Sequence, residues 1–312
     1  MTEGVKNQNE FFVMVSVIVL TYNHKDYISQ ALDSILMQDV NFPIEILVGD
    51  DGSTDGTSEI IHEYAYKYPN ILFPFFRKHN MGATKNLRDL LEKTKGKYIG
   101  SCEGDDYWTD PLKLKKQVSY METHPEYIGC VHSFTIVDEK GIPLKKQELR
   151  WLSKKKIYTL KDFKGLFLPG HPVTFFYKNI FYGNKSACEV IEKAHPQIGD
   201  RTIAMLLAAQ GNIFQMDENM ACYRRPLKNK NNLTMKLGEK ADNKLIEYQM
   251  NDFLEAYAQN ILGKRVNFNW FRRDLLFRTI IKCIIKPSQE NFACLMGILQ
   301  ECKRRYCSKK SQ

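Results

Sequence analysis

The stretch Cys102-Glu103-Gly104-Asp105-Asp106-Tyr107-Trp108 places three carboxylates within four positions. Carboxylates this close repel one another unless a proton or a cation lies between them, and hard oxygen ligands suit Mg²⁺ or Mn²⁺. An isolated acidic triplet is also ordinary turn chemistry, because Asp and Gly favour turns. The neighbouring elements decide between the two. The triplet follows the apolar run Tyr98-Ile99-Gly100-Ser101 and stands just before a helix-like segment that starts at Pro111.

Three further polar clusters sit at the ends of strand-like runs. Val13 to Leu20 is nearly continuous in apolar, β-branched residues, as in a strand buried on both faces, and ends at Thr21-Tyr22-Asn23-His24. Tyr27, Ile28, Ala31, Leu32, Ile35 and Leu36 then recur at helical spacing, with Asp26 as the expected N-cap. A second strand, Ile44 to Gly49, delivers Asp50-Asp51-Gly52-Ser53-Thr54-Asp55-Gly56, and a helix follows to about Tyr68. Ile71 to Phe76 reads as a third strand; His79-Asn80-Met81-Gly82 follows, then a helix with Lys85, Asn86 and Arg88 that is expected to end near Gly96. Four strands alternating with helices predict a doubly wound α/β sheet, in which ligands sit beyond the carboxyl ends of the strands. Each polar cluster falls at such an end.

Farther along, a helix is expected from Pro111 to Thr123, strands over Ile128 to Val137, Thr174 to Tyr177 and Asn212 to Met216, and a helix opening at Ile198-Gly199-Asp200. Lys145 to Lys161 holds seven Lys/Arg with little periodicity and reads as a mobile basic loop. Tyr223-Arg224-Arg225 has the chemistry of a phosphate clamp, although Arg pairs are commonly solvated. Beyond Leu227 the β-α pattern stops, and three basic helices are expected, over Lys240 to Leu262, Phe268 to Lys286 and Gln289 to Tyr306. The domain boundary is placed at 228 to 238, between a unit of residues 13–228 and a basic amphipathic helical extension of residues 238–312.

With 312 residues, 43% hydrophobic and 26% charged, the composition is that of a globular protein able to bury a large core. Met1 to Asn9 holds no apolar run of signal-peptide length, and no stretch approaches the roughly 20 apolar residues of a membrane span, which predicts a cytoplasmic chain. Eight cysteines are present without a C-x-x-C pair, and the apolar contexts of Cys102, Cys130, Cys188 and Cys222 predict buried free thiols there, with neither zinc site nor disulfide framework. The net charge of +9 lies entirely in the tail: residues 1–225 hold 28 basic and 28 acidic residues, residues 226–312 hold 17 and 8. Without a recognisable nucleic-acid motif, that excess is not read as a nucleic-acid site.

Taken in order, Thr21-Tyr22-Asn23, Asp50-Asp51-Gly52-Ser53-Thr54-Asp55, Asn80-Met81-Gly82 with Lys85-Asn86, Glu103-Gly104-Asp105-Asp106 and Gly199-Asp200 resemble the inverting nucleotide-sugar glycosyltransferases of family 2. The resemblance spans about Val15 to Arg225. It implies a GT-A fold: a Rossmann-like, nucleotide-sugar-binding central mixed sheet flanked by helices. It implies that Thr21, Tyr22, Asn23 and Asp51 line the base pocket and that Lys85 approaches the diphosphate. Asp105 and Asp106 would hold the ribose and a divalent metal, Mn²⁺ or Mg²⁺. Glu103 stands where the family has Asp, and Asp200 matches the catalytic base that takes the acceptor hydroxyl's proton. At a helix start an Asp also serves as an N-cap, and there the helix dipole lowers its basicity, so closure and desolvation have to restore the pKa of Asp200. His171, between Gly170 and Pro172, is a candidate for the acceptor pocket.

The expected donor is a nucleoside-diphosphate sugar, a UDP-sugar first, and the expected acceptor a saccharide or lipid-linked oligosaccharide of a surface polysaccharide. Trp270, Phe271, Ile280, Ile281 and Ile284 interleaved with Arg272, Arg273, Arg278 and Lys282 suit either a helix lying on an anionic membrane or one packed against protein. The rivals are a non-catalytic nucleotide-sugar-binding protein on a degenerate transferase fold and a sugar nucleotidyltransferase. The latter needs a Gly-rich, Arg-containing loop after the first strand, and Thr21-Tyr22-Asn23-His24 is not one.

Overall fold

A computed structural model of the chain describes residues 13–225 and 242–310. The linker expected at 228 to 238 lies outside the described residues. Three β-α units and a fourth strand come first: β1 Val13–Thr21, α1 Ile28–Leu36, β2 Ile44–Asp50, α2 Thr57–Lys67, β3 Leu72–Phe76, α3 Ala83–Leu91 and β4 Gly96–Glu103. A short β5, Tyr107–Trp108, and α4, Lys113–Thr123, lead to β6 Tyr127–Val137, β7 Ile157–Tyr158, α5 Leu160–Phe163 and β8 Phe176–Lys178. Next come α6 Lys185–Ala194, α7 Asp200–Ala208 and β9 Asn212–Arg224. Three helices close the chain: α8 Asn243–Asn260, α9 Asn269–Ile285 and α10 Gln289–Lys310.

The strands form one mixed sheet in the order β3-β2-β1-β4-β8-β6-β9-β5, with β7 paired to β9. The β3-β2-β1-β4 half is parallel. Successive side chains of β1 enter opposite cores, as a two-residue period requires: Val15, Val17 and Val19 pack with α1, and Ile18 packs with α3, α6 and α7. Both faces are thus covered, which explains the continuous apolar run. In this strand order the connections leave in opposite directions from β1 and β4, opening a crevice at their carboxyl ends. The N–H of Gly104 donates to the carbonyl of Leu20 (2.8 Å), tying the acidic turn to the end of β1.

Several local expectations are corrected. Helix α1 begins at Ile28 with Tyr27 as its cap, not Asp26, because the N–H groups of Tyr27 and Ile28 both bond back to the carbonyl of His24 and make a turn first. Gly96 does not end a helix; it opens β4, where a Cβ would stand 2.4 Å from the nitrogen of Ser16 on β1. The last strand runs 13 residues rather than five, because register shifts in its pairing with β6 carry it past the exposed Asp217, Glu218 and Asn219. In the basic loop, Lys154, Lys155 and Lys156 pair with Glu148, Asp162 and Asp217. Cys102, Cys130, Cys188 and Cys222 are free and buried, as expected.

Helices α8 and α9 pack on the sheet domain, and α10 packs on α8 and α9. Met250, Leu254 and Ala258 of α8, with Phe268, share a core with Ile203 and Leu207 of α7. Arg201 on α7 pairs with Glu247 on α8 at 2.7 Å. Tyr248, Phe271, Leu275, Cys294 and Ile298 form a separate small core among α8, α9 and α10.

Candidate active site

The ends of β1 and β2 are stitched together by the residues expected to meet the nucleotide base. Asn23 adopts φ 56°, in the left-handed region that Asn tolerates, and its side-chain oxygen accepts from the N–H of Thr54 (2.8 Å). Its own N–H donates to the Ser53 hydroxyl (2.9 Å). Asp50 is buried and accepts from Ser53 and Ser58, a structural role. The buried Asp51 accepts the N–H groups of Met81 (2.8 Å) and Gly82 (3.0 Å), one on each oxygen. Withdrawal from water raises its pKa, and those two bonds oppose the rise. Each oxygen keeps a further lone pair for a ligand donor. Thr21 is buried and Tyr22 exposed at the crevice. Lys85 is exposed on the first turn of α3.

The acidic turn is held from the far side of the molecule. Strand β5 pairs antiparallel with β9, Tyr107 opposite Cys222, which brings Asp105 and Asp106 to Arg224. The N–H of Arg224 donates to Asp106 Oδ1 (2.8 Å), and its Nε donates to the carbonyl of Asp105 (2.8 Å). The other guanidinium nitrogens reach the carbonyls of Asp138 and Glu139 and the side chain of Gln30. Arg224 is therefore a buried bracket, 2% exposed, rather than the phosphate clamp that its sequence context offered. Asp105 stays half-buried, its Oδ2 3.9 Å from His24 Nε2, while His24 Nδ1 lies 3.2 Å from the hydroxyl of Thr21. Sequence reasoning missed His24, whose only signal was its place in the Thr21-Tyr22-Asn23-His24 cluster.

Glu103, Asp106 and His171 converge, with one ligand atom from each lying within 4.8 Å of the others. Asp105 is not in this group; it faces His24 instead. His171 is buried under Tyr223, Phe134 and Trp151, with Nδ1 3.7 Å from Asp106 Oδ2. Burial pulls its pKa down to about 3, so the imidazole is neutral and a nitrogen can serve as a ligand. Burial, then the neighbouring charges of Asp105 and Glu103, push Asp106 well above the usual carboxylate range. Its Oδ2 is buried and has no hydrogen-bond partner among the described residues. An orphaned buried carboxylate oxygen is costly unless a proton or a cation meets it. Two carboxylates and an imidazole around that oxygen fit a divalent cation.

Asp200 is the first residue of α7, not its N-cap, which is Gly199. Its Oδ1 accepts the N–H of Arg201 (2.8 Å). Burial raises its pKa despite the helix terminus and Arg201, so desolvation outweighs the dipole. Its charge also reaches Glu103. Withdrawal from water, then Asp105 and Asp200, push the Glu103 pKa up to about 8. The segment ahead of Asp200 is pinned to the start of α3: Thr84 Oγ1 donates to the carbonyl of Pro196 (2.6 Å), and Gln197 Oε1 accepts the N–H of Ala83 (3.3 Å). The charge of Asp200 on α7 thus reaches Glu103 on β4, and Asp51 is bonded to Met81 and Gly82 at the start of α3.

Residues 16–191 match the family described as Glycosyl transferase family 2. The uncharacterized protein Mb1547 of Mycobacterium bovis is 46% identical over 127 residues, 41% of this chain and 37% of that protein. The putative teichuronic acid biosynthesis glycosyltransferase TuaG of Bacillus subtilis is 34% identical over 137 residues, 43% of this chain and 51% of that protein. The matched region thus spans about a third to a half of these relatives' lengths. Among solved structures, Staphylococcus aureus TarS in complex with UDP-GlcNAc superimposes with a TM-score of 0.64 at 17% identity, covering 93% of this chain and 80% of that one. The TarS likeness shows the fold, which is GT-A, and the family match covers more than half of the sequence: the chain belongs to glycosyl transferase family 2.

Proposed function

We propose that this chain transfers one sugar, with inversion at the anomeric carbon, from a nucleoside-diphosphate sugar to a saccharide or lipid-linked acceptor of a surface polysaccharide. The observation that carries the reading is Asp200 at the start of α7, its pKa raised by partial burial and its charge felt by Glu103 at the end of β4. Inversion needs a carboxylate that takes the proton of the acceptor hydroxyl on the side of the anomeric carbon opposite the leaving group, and a raised pKa makes Asp200 a better base. The donor and acceptor classes follow TarS, seen with UDP-GlcNAc, and TuaG, named for teichuronic acid biosynthesis.

In this reading Thr21, Tyr22, Asn23 and Asp51 receive the base, Lys85 faces the diphosphate and Asp105 the ribose. Asp106, with Glu103 and His171, holds a divalent cation, Mn²⁺ or Mg²⁺. Such an ion, when bound, offsets the negative charge that the departing nucleoside diphosphate gains. Asp200 takes the proton of the acceptor hydroxyl as that oxygen bonds to the anomeric carbon, and the bond to the phosphate oxygen breaks with its electron pair leaving on the diphosphate. Residues 13–228 form the catalytic unit and 238–312 a helical extension, working in the cytoplasm at the inner face of the membrane.

Screening nucleoside-diphosphate sugars by thermal shift with Mn²⁺ identifies the donor. With that donor, Asp200→Asn is expected to bind as tightly as the wild type while turnover falls at least about a hundredfold. Turnover that survives Asp200→Asn would remove the base assignment.

A further inference from the structure

Helix α9 has two faces with different fates. Phe271, Leu275, Thr279 and Cys283 are buried against the rest of the protein. On the opposite side, Trp270, Phe277, Ile281 and Ile284 fall within an arc of about 60° at 100° per residue. Trp270, whose ring packs on one side against Phe167, is 50% exposed, Phe277 62% and Ile284 74%, and Ile285 at the helix end is 78% exposed. Apolar side chains aligned in this way along a whole helix differ from the scattered exposed residues of an ordinary surface. They mark a face that something covers.

Charge selects the occupant. Arg273 flanks the apolar row on one side, Asp274 on the other side is neutralised by its pair with Arg278, and Lys286 follows the end of the row; Arg273 and Lys286 are exposed and leave the surroundings of the row net positive. Residues 242–310 contain thirteen Lys/Arg against seven Asp/Glu. Arg272 is not part of this surface, being buried and paired with Asp252 and Glu255. A second copy of the same face would bring like charges together, whereas an anionic surface attracts them. Among the described residues no helix is long and apolar enough to cross a membrane. An apolar row with basic flanks on such a helix suits one that lies in the headgroup layer.

We propose that the outer face of α9 docks this protein on an anionic phospholipid surface, with Trp270, Phe277, Ile284 and Ile285 entering the interface and Arg273 and Lys286 meeting the headgroups. The lipid contact stands on α9 alone; only its placement at the cytoplasmic leaflet rests on the transferase reading.

The test is co-sedimentation of the full chain with vesicles of phosphatidylcholine alone and with vesicles that also contain phosphatidylglycerol. Binding is expected to the anionic vesicles, weakening as salt is raised. Arg273→Gln and Lys286→Gln should each weaken it about fivefold. Phe277→Gln and Ile284→Gln should weaken it at least as much. Those side chains are exposed, so an unchanged melting temperature and unchanged donor binding will show that the variants are folded. Equal sedimentation with both vesicle types, or none with either, overturns the proposal. So does a dimer in light scattering that Phe277→Gln dissociates, because a second copy then covers the face. Vesicle binding needs no donor, so a chain that binds vesicles but no nucleotide-sugar refutes the transferase reading and leaves this one standing.

Discussion

The main-chain N–H of Arg224 donates to Asp106 Oδ1 at 2.8 Å, joining residues 118 positions apart. The same residue's guanidinium ties down the carbonyl of Asp105 and the loop of Asp138 and Glu139, and lies over the rings of Tyr27 and Tyr107. Arg224 supplies a fixed positive charge behind carboxylates that would otherwise repel, and it sets their direction.

Arg224→Lys keeps the charge but not the planar fork, so several carbonyls lose their donor at once. A destabilisation of about 2–4 kcal/mol is expected from the unsatisfied buried groups. Mn²⁺ affinity should also fall about tenfold or more in the fraction that remains folded. Titrating Mn²⁺ against the melting temperature reads both quantities; wild-type metal affinity in the variant would reduce Arg224 to a purely structural residue.

Asp106 Oδ2 requires a proton or a cation, which makes the metal site accessible without turnover. Mn²⁺ should raise the melting temperature of the wild type and EDTA should reverse the rise. Asp106→Asn should lose the response, and His171→Gln should need about tenfold more Mn²⁺ or beyond. If Asp105→Asn abolishes the response while His171→Gln leaves it intact, the cation belongs on the Asp105 side of the turn.

Gly104 lets the ends of β4 and β1 touch. A Cβ there would stand 2.6 Å from Thr21 Oγ1 and 2.8 Å from His24 Nδ1. Gly104→Ala therefore pushes the acidic turn away from the base-binding end of β1. A loss of about 1–3 kcal/mol in stability is expected, together with weaker donor binding. Denaturant unfolding and a donor titration check the pair, and unchanged values in both would show that the turn has room to spare.

His195 couples pH to the loop ahead of Asp200. Its Nδ1 accepts the N–H groups of Gln197 (3.0 Å) and Ile198 (3.1 Å), which needs the neutral ring. Burial, with Arg201 reinforcing it and Glu247 opposing, pulls the pKa from 6.5 to about 4. A depressed folded-state pKa contributes stability above the unfolded value, here pH 6.5, that is lost as pH falls through about 4. The difference in stability between wild type and His195→Asn should accordingly shrink by about 2–3 kcal/mol from pH 7 to pH 4. A constant difference across that range would mean that the imidazole protonates freely in the folded protein.

Local pattern in the sequence marked the four parallel strands and the places where chemistry gathers, but not the short β5 and β7, which exist only through pairing with β9. β-Branched runs such as Val15 to Val19 read as strands because burial on both faces demands it, and polar residues then mark the strand ends. Asp51, Asp106 and Asp200 were therefore visible as candidates from local pattern and resemblance. Their neighbours come from the long-range pairing of strands. His171 reaches Asp106 because β8 inserts antiparallel between β4 and β6, and Arg224 reaches it because β9 pairs with β5. Such pairings join residues dozens of positions apart and leave no period in the sequence. The same holds for Asp200: a helix start predicts a weak base, and only the fold's removal of water from that carboxylate reverses the sign.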